Sequence, residues 1–152
     1  MLVVDASIAC KWYLDEPGSD LARSVVDGRH ELVAPDILLA EVGNALWRCH
    51  LRGEIAERDG AAALQGLAHM FHALVPSVSV IADAFQAAAV LRHPVYDCIY
   101  LIVARDLGVQ LITADRRLIA VVRGSPWQGL VVPLDVAGIS PPPSSPPGAP
   151  SR

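Results

Sequence analysis

The sequence lacks the features of a membrane or secreted protein. No apolar run approaches the roughly 20 residues that a membrane-spanning helix needs. No basic segment precedes Leu2, and Asp5 interrupts the first apolar run, so the amino terminus differs from a secretory signal peptide. The three cysteines form no CxxC pair, which argues against a disulfide framework or a thiolate zinc site and predicts buried free thiols. We therefore expect a cytoplasmic protein.

Positive charge is also scarce, and almost all of it is arginine. Lys11 is the only lysine among 12 basic residues, against 16 acidic residues, and the net charge is −4. This balance argues against the broad basic surface that many nucleic-acid-binding proteins carry. A small basic patch is still compatible with it, and arginine suits such a patch because its planar guanidinium binds phosphate through two hydrogen bonds.

The apolar content, in contrast, is high. Hydrophobic residues make up 53% and charged residues 18% of the 152 positions, which is typical of a single globular domain. The composition changes near the carboxyl terminus, where the segment 141–150 is rich in proline and can build neither a core nor a sheet. We therefore divide the chain into a domain, residues 1–135, and a Pro-rich tail, residues 136–152, that we expect to be disordered.

Short β-branched runs alternate with helical patterns along the domain. The first run, Leu2 to Val4, is apolar throughout, as in a strand that is buried on both faces. Further strands are predicted at 31–33, 78–81, 109–113 and 130–132. Helices are predicted at 7–14, 19–26, 37–51, 57–74, 83–92, 97–107 and 115–122. Strands that alternate with helices predict an α/β fold with a mainly parallel sheet and helices on both faces.

Four carboxylates fall at equivalent places in this pattern. Asp5 directly follows the first predicted strand, and Asp115 lies two positions after the end of the fourth. Asp97 begins a helix, and Glu41 lies about one and a half turns into the helix that follows the second strand. Strand ends and the starts of the following helices lie at one edge of a parallel sheet. We therefore expect the four carboxylates to share one crevice.

Such a cluster points to a bound cation. Neighbouring carboxylates repel one another, and a divalent cation compensates this repulsion. An all-oxygen site without nearby Cys–His pairs suits Mg²⁺ or Mn²⁺ better than zinc. An ion of this kind generates hydroxide and stabilises in-line displacement at phosphorus. The cluster therefore indicates phosphoryl-transfer chemistry.

Each acid also has a simpler interpretation. The three aspartates are favourable N-caps for the helices near which they lie. Glu41 can pair with Arg48 or Arg52 on its own helix, although the residues on both sides of it are uncharged and an acid there is costly without a partner. The agreement of all four positions favours the shared site.

Four segments resemble the PIN-domain family, and in particular the VapC ribonuclease toxins of bacterial toxin–antitoxin pairs. They are Val3-Val-Asp5-Ala-Ser7, Leu39-Ala-Glu41-Val-Gly-Asn44, Tyr96-Asp97-Cys-Ile-Tyr100-Leu and Leu111-Ile-Thr113-Ala-Asp115-Arg-Arg-Leu118. The resemblance extends over residues 1–133 and excludes the Pro-rich tail. It implies a three-layer α/β/α sandwich and a metal-dependent endoribonuclease.

The resemblance also implies roles for individual residues. The implied catalytic acids are Asp5, Glu41, Asp97 and Asp115, of which Asp5, Asp97 and Asp115 would bind Mg²⁺ or Mn²⁺. The implied supporting residues are Ser7, Asn44 and Thr113, and the alternative for Asn44 is an exposed polar residue. The resemblance further implies a homodimer and a VapB-type antitoxin that blocks the acids, commonly with an inserted arginine, which can replace the charge of a metal ion.

A structured RNA substrate has to be held beside these negative charges. Arg116 and Arg117 follow Asp115 directly, and Lys11 lies one turn beyond Ser7. We therefore expect these three basic residues to contact phosphate groups. The alternative is that they are ordinary surface charges.

Three other functions remain open. A receiver domain needs paired acids after its first strand and a lysine after its last strand, whereas the lysine of this chain is Lys11. A haloacid-dehalogenase-type phosphatase needs a second acid two residues after its nucleophilic aspartate, and that position is Ser7. A non-catalytic PIN-fold interaction module needs no acidic cluster, so the four acids argue against it.

Overall fold

The fold is known from a computed structural model, which describes residues 1–27 and 30–135. The predicted disorder of the tail, residues 136–152, falls outside the described residues. The strands are β1 (Leu2–Val4), β2 (Leu32–Pro35), β3 (Ala73–Val75), β4 (Leu111–Thr113) and β5 (Val131–Pro133). The helices are α1 (Ala6–Tyr13), α2 (Ser19–Ser24), α3 (Ile37–Leu51), α4 (Glu57–Leu67), α5 (Ile81–Leu91), α6 (Val95–Leu107) and α7 (Arg116–Val121).

The five strands form one parallel sheet in the order β3-β2-β1-β4-β5. From β1 the chain moves outward through β2 to β3, and then returns across the sheet to β4 and β5. Right-handed crossovers in opposite directions place α1–α4 on one face and α5–α7 on the other. Packing of α6 on β1 and β2, and of α1 on α3, agrees with this arrangement. The predicted three-layer α/β/α sandwich is thereby confirmed.

The connections change direction at β1, whose neighbours are β2 and β4. Val3 pairs with Val33 of β2 on one side and with Leu111 of β4 on the other. In open α/β sheets, the point where strand order reverses leaves a crevice at the carboxyl ends of the strands. The residues that follow β1 and β4 therefore face a common opening.

Helix α6 supplies much of the core. Its residues from Cys98 to Ala104 are all buried, and Tyr100, Leu101 and Ile102 are fully so. Among the described helices, none is by itself long and apolar enough to cross a bilayer. α5 and α6 together have that length and composition, but they meet at a bend of 114°. The apolar character of α6 is explained by its contacts with the sheet.

One part of the secondary-structure prediction was wrong. The helix predicted to reach residue 74 ends at Leu67, and the third strand is Ala73–Val75 instead of 78–81. Val78 is 81% exposed, in a short 3₁₀ turn, although its β-branched neighbours suggested a strand. The residue before Pro76 is restricted to extended backbone. This restriction favours a strand that ends at Val75, which pairs with Pro35 of β2.

The three cysteines are free thiols, as predicted. Cys49 and Cys98 are buried, and Cys10 is half-buried. Burial raises the pKa of the Cys10 thiol to about 12, with nearby carboxylates as further causes. The thiols therefore stay protonated and unreactive at neutral pH.

Candidate active site

Asp5 is held by two hydroxyl groups at the carboxyl end of β1. The residue is 6% exposed, and its Oδ2 accepts hydrogen bonds from Ser7 Oγ at 2.6 Å and from Thr113 Oγ1 at 2.5 Å. Burial raises the pKa of Asp5, and the two hydrogen bonds counteract part of this rise. Asp5 occupies the N-cap position of α1, but within the described residues its side chain makes no capping hydrogen bond. The capping interpretation is therefore wrong for its carboxylate.

Ser7 and Thr113 also join the ends of β1 and β4. Ser7 Oγ accepts a hydrogen bond from the Ala114 amide at 3.0 Å, and Thr113 Oγ1 accepts one from the Asp115 amide at 3.0 Å. Each hydroxyl thus accepts a hydrogen bond from one backbone amide and donates one to the carboxylate of Asp5. These contacts fix the positions of Asp5 and Asp115 relative to each other.

Asp115 is an N-cap as well as a member of the acidic cluster. Its Oδ1 accepts hydrogen bonds from the amides of Arg117 at 2.7 Å and of Leu118 at 3.3 Å, so the simpler interpretation describes its backbone contacts correctly. One of its carboxylate oxygens nevertheless lies within 4.8 Å of ligand atoms on His93 and Asp97. Capping and cation binding are therefore compatible at this residue.

Asp97 lies in the first turn of α6, where Pro94 occupies the N-cap position. Its side chain is 15% exposed. Burial raises the pKa of Asp97 to about 7, with the negative charges of the other three acids as the additional cause. The other three predicted acids, which come from other elements, therefore all lie near enough to act on Asp97.

Glu41 is held by a residue that the sequence prediction missed. The Tyr100 hydroxyl, at a fully buried position of α6, donates a hydrogen bond to Glu41 Oε2 at 2.5 Å. Burial raises the pKa of Glu41, and the bond from Tyr100 opposes this rise. Among the ion pairs of the described residues, Glu41 has neither Arg48 nor Arg52 as a partner, and Arg52 pairs with Glu54 instead. Tyr100 lies in one of the four recognised segments, but no role was assigned to it.

Asn44 does not share this environment. It lies on α3 one turn after Glu41 and is exposed. This exposure agrees with the alternative, an exposed polar residue, and the supporting role stays a prediction.

His93 is the second residue that the prediction missed. It lies in the loop before α6, its side chain is 6% exposed, and its Nε2 is 2.9 Å from Asp97 Oδ2. This contact lacks hydrogen-bond alignment, and among the described residues Nε2 has no hydrogen-bond partner. The available sequence signal was its closeness in the chain, because His93 lies only four positions before Asp97. We had interpreted His93-Pro94 as a chain break alone.

This set of donors fits a divalent cation. Three ligand atoms from His93, Asp97 and Asp115 lie within 4.8 Å of one another. Nε2 of the same histidine is buried and has no hydrogen-bond partner among the described residues. Ligands about 2.1 Å from a shared ion are at most about 4.2 Å apart, so small side-chain movements would complete the set. Burial and, after it, repulsion by the other acids raise the pKa of Asp97, and a bound cation would relieve this repulsion.

The predicted basic residues differ in their surroundings. Arg116 and Arg117 are exposed at the start of α7, beside Asp115. Lys11 is engaged elsewhere, because its Nζ donates to the Pro17 carbonyl at 2.9 Å and lies 3.3 Å from a Glu16 oxygen.

Two grooves meet at Ala114, next to the acids. One is lined by Ser7, Lys11, Arg48 and Arg52 among others. The other contains Arg116. Arg48 is thus a further basic residue near the site that the prediction considered only as a partner of Glu41.

Comparison with known proteins identifies the family of the chain. Residues 2–124 match the PIN domain family. Ribonuclease VapC3 of Pyrobaculum aerophilum is 39% identical over 121 residues, which cover 77% of this chain and 91% of that protein. Ribonuclease VapC9 of Mycobacterium tuberculosis is 30% identical over 118 residues, which cover 78% of this chain and 88% of that protein. The crystal structure of PAE2754 from Pyrobaculum aerophilum superimposes with a TM-score of 0.66 at 23% identity, over 88% of this chain and 83% of that chain, which shows the shared fold. The chain therefore belongs to the PIN-domain family, and within it to the VapC type.

Proposed function

We propose that this protein is a Mg²⁺- or Mn²⁺-dependent endoribonuclease that hydrolyses phosphodiester bonds of structured RNA in the cytoplasm. The observation that carries the proposal is the convergence of Asp5, Glu41, Asp97 and Asp115 at one sheet edge, with the pKa of Asp97 raised to about 7. Relatives that are named ribonucleases support RNA as the substrate class.

Asp5, Asp97 and Asp115 are the proposed ligands of the cation. When bound, a divalent cation supplies a nucleophilic water at neutral pH and positive charge for the phosphate oxygens. Ser7 and Thr113 orient Asp5 through their two hydrogen bonds, so the site is held in position before the substrate arrives. Such preorganisation lowers the cost of reaching the transition state.

Glu41 is the proposed proton acceptor. Burial raises the pKa of Glu41, which makes its carboxylate a stronger proton acceptor for the attacking water than an exposed glutamate would be. The hydrogen bond from Tyr100 fixes the direction of its carboxylate. Attack by water at phosphorus would leave a 5′ phosphate on one product and a 3′ hydroxyl on the other.

Arg116 and Arg117 are the proposed phosphate contacts. Both are exposed, and the residue that precedes them, Asp115, belongs to the cluster. We give Lys11 a lower rank, because its ammonium group already has two partners in the α1–α2 loop. Arg48, in the adjoining groove, is a further candidate.

The proposal extends to the biological context. We infer that the protein is the toxin of a toxin–antitoxin pair, that a VapB-type antitoxin inhibits it, and that it forms a homodimer, because its relatives are of the VapC type. A cationic side chain of the antitoxin, placed at the acidic cluster, would supply the charge that the carboxylates require.

Cleavage of labelled structured RNAs tests the activity. The purified chain, freed of metal by EDTA, is assayed with Mg²⁺, with Mn²⁺ or with EDTA alone. We expect cleavage only with a cation, and a loss of roughly 100-fold or more in Asp5→Asn and Asp97→Asn, since each removes a carboxylate ligand of the cation that stabilises the transition state. Asp59→Asn, at an exposed position of α4, is the matched control and keeps the wild-type rate.

Two results would contradict the proposal. Cleavage that persists in EDTA, or that is equal in the wild type and both variants, would show a contaminating nuclease. A wild type that binds its cation but cuts no RNA would favour the non-catalytic interaction module.

A further inference from the structure

His93 presents an unpaired nitrogen to the acidic cluster. Its side chain is 6% exposed, and Nε2 is buried without a hydrogen-bond partner among the described residues. The same atom lies 2.9 Å from Asp97 Oδ2. A ring nitrogen of His93 also lies within 4.8 Å of carboxylate oxygens of Asp97 and Asp115. A buried polar atom without a hydrogen-bond partner lowers the stability of the fold. Its retention here indicates that the nitrogen binds a ligand.

The backbone around His93 holds the ring in this position. Arg92 has a left-handed conformation, with φ of 51°, where α5 ends. His93 precedes Pro94 and is therefore restricted towards extended backbone, and α6 begins at Val95. A non-glycine residue in the left-handed region costs about 1 kcal/mol or more, and such strain is often found at functional sites.

An ion pair between His93 and Asp97 is the simpler interpretation. A protonated ring would aim an N–H group at the carboxylate, since an aligned charge-assisted hydrogen bond is far stronger than a misaligned one. The observed 2.9 Å contact lacks this alignment. The ring instead places a nitrogen within 4.8 Å of an oxygen of each of the two carboxylates.

We propose that His93 is a nitrogen ligand of the cation held by Asp97 and Asp115, and that it makes the site prefer a first-row transition ion such as Mn²⁺ over Mg²⁺. Imidazole nitrogen binds first-row transition ions well, whereas Mg²⁺ strongly prefers oxygen ligands and retains its waters. The inference rests on the proposed function only in requiring that a divalent cation binds at these acids.

Calorimetric titration of the metal-free, full-length protein with Mn²⁺ or Mg²⁺ alone tests this preference. We expect His93→Gln and His93→Asn to lose roughly 10- to 100-fold in Mn²⁺ affinity and much less in Mg²⁺ affinity. His72→Gln, at an exposed histidine, is the matched control and binds both ions as the wild type does.

Pulsed electron paramagnetic resonance of the Mn²⁺-loaded wild type gives an independent readout, which does not depend on the folding of a variant. A directly bound imidazole produces a ¹⁴N coupling, which we expect to persist in His72→Gln and to vanish in the two His93 variants.

The outcomes separate the two proposals. Wild-type protein that binds neither ion would overturn both the cation site and the role of His93. Binding without a ¹⁴N coupling, or with equal losses for both ions in the His93 variants, would overturn the role of His93 alone and leave the nuclease proposal intact.

Discussion

Among the acids of the site, Asp97 shows most clearly what it costs to bury carboxylates close together. Its pKa is raised to about 7 by burial and by the other three acids, so the metal-free protein holds a proton there that the unfolded chain releases near pH 3.8. The folded state therefore binds more protons than the unfolded state between these two values. The contribution of Asp97 to stability therefore falls as the pH rises from about 4 to about 7, and does not change further above pH 7.

Asp97→Asn should remove this loss of stability at high pH, because asparagine does not ionise. In EDTA at pH 8, we expect the variant to be more stable than the wild type by on the order of 2 to 4 kcal/mol, since one pKa unit corresponds to about 1.4 kcal/mol. The advantage should shrink as the pH falls towards 4. Urea denaturation across this pH range measures it, and parallel curves for the two proteins would contradict the raised pKa.

Residue types and spacing identified only some of the side chains that form the site. Asp5, Glu41, Asp97 and Asp115 were expected together because each follows a strand or lies near the start of a helix. His93 and Tyr100 were missed, because neither has a position in that pattern. Their involvement follows from packing, which brings Tyr100 to Glu41 across 59 positions of sequence.

At the scale of elements, α6 combines the core and the site. Its buried face, from Cys98 to Ala104, contacts the sheet, and its first turn carries Asp97. The helix therefore fixes one acid of the cluster relative to β1 and β4. A loss of packing along α6 would loosen the site as well as the fold.

Leu101→Ala and Leu107→Ala measure this packing with the same chemical change. Leu101 is fully buried, whereas Leu107 is 42% exposed at the end of the helix. We expect Leu101→Ala to lower the free energy of unfolding by about 2 to 5 kcal/mol and Leu107→Ala by about 1 kcal/mol or less. Chemical denaturation checks both, and equal effects would show that α6 does not form the core.

The elements themselves were predictable to different degrees. The bounds of α3, 37–51, agreed with its apolar periodicity, because a long amphipathic helix repeats its pattern over four turns. The edge strand β3 has only three residues, Ala73–Val75, after an alanine-rich segment. Such a short run contains too few residues to show a period of its own, so its pairing with β2 decided its structure.

At the scale of the whole molecule, a chain of net charge −4 has to bind a polyanion. The acidic cluster repels RNA, so the proposed binding requires the proposed cation and a local group of arginines. Such contacts release counterions from RNA, and each adds about 0.7 to the slope of log affinity against log salt for single strands.

The double variant Arg116→Gln/Arg117→Gln tests this local patch. In an Asp5→Asn background that prevents cleavage, we expect weaker RNA binding and a salt slope reduced by about 1 to 1.5. Fluorescence anisotropy at several salt concentrations measures both. Arg58→Gln, on α4, is the control and should leave the slope unchanged, and the same slope in the double variant would remove both arginines from the site.

The sequence by itself determined the α/β architecture and the four places where acids meet the sheet edge. Both depend on local properties, namely the period of apolar residues, the turn residues and the order of elements along the chain. Only the tertiary structure decided which atoms touch, such as Thr113 with Asp5 across 108 positions and His93 with Asp97. It also decided the raised pKa of Asp97, because desolvation and through-space charge depend on how distant elements pack together.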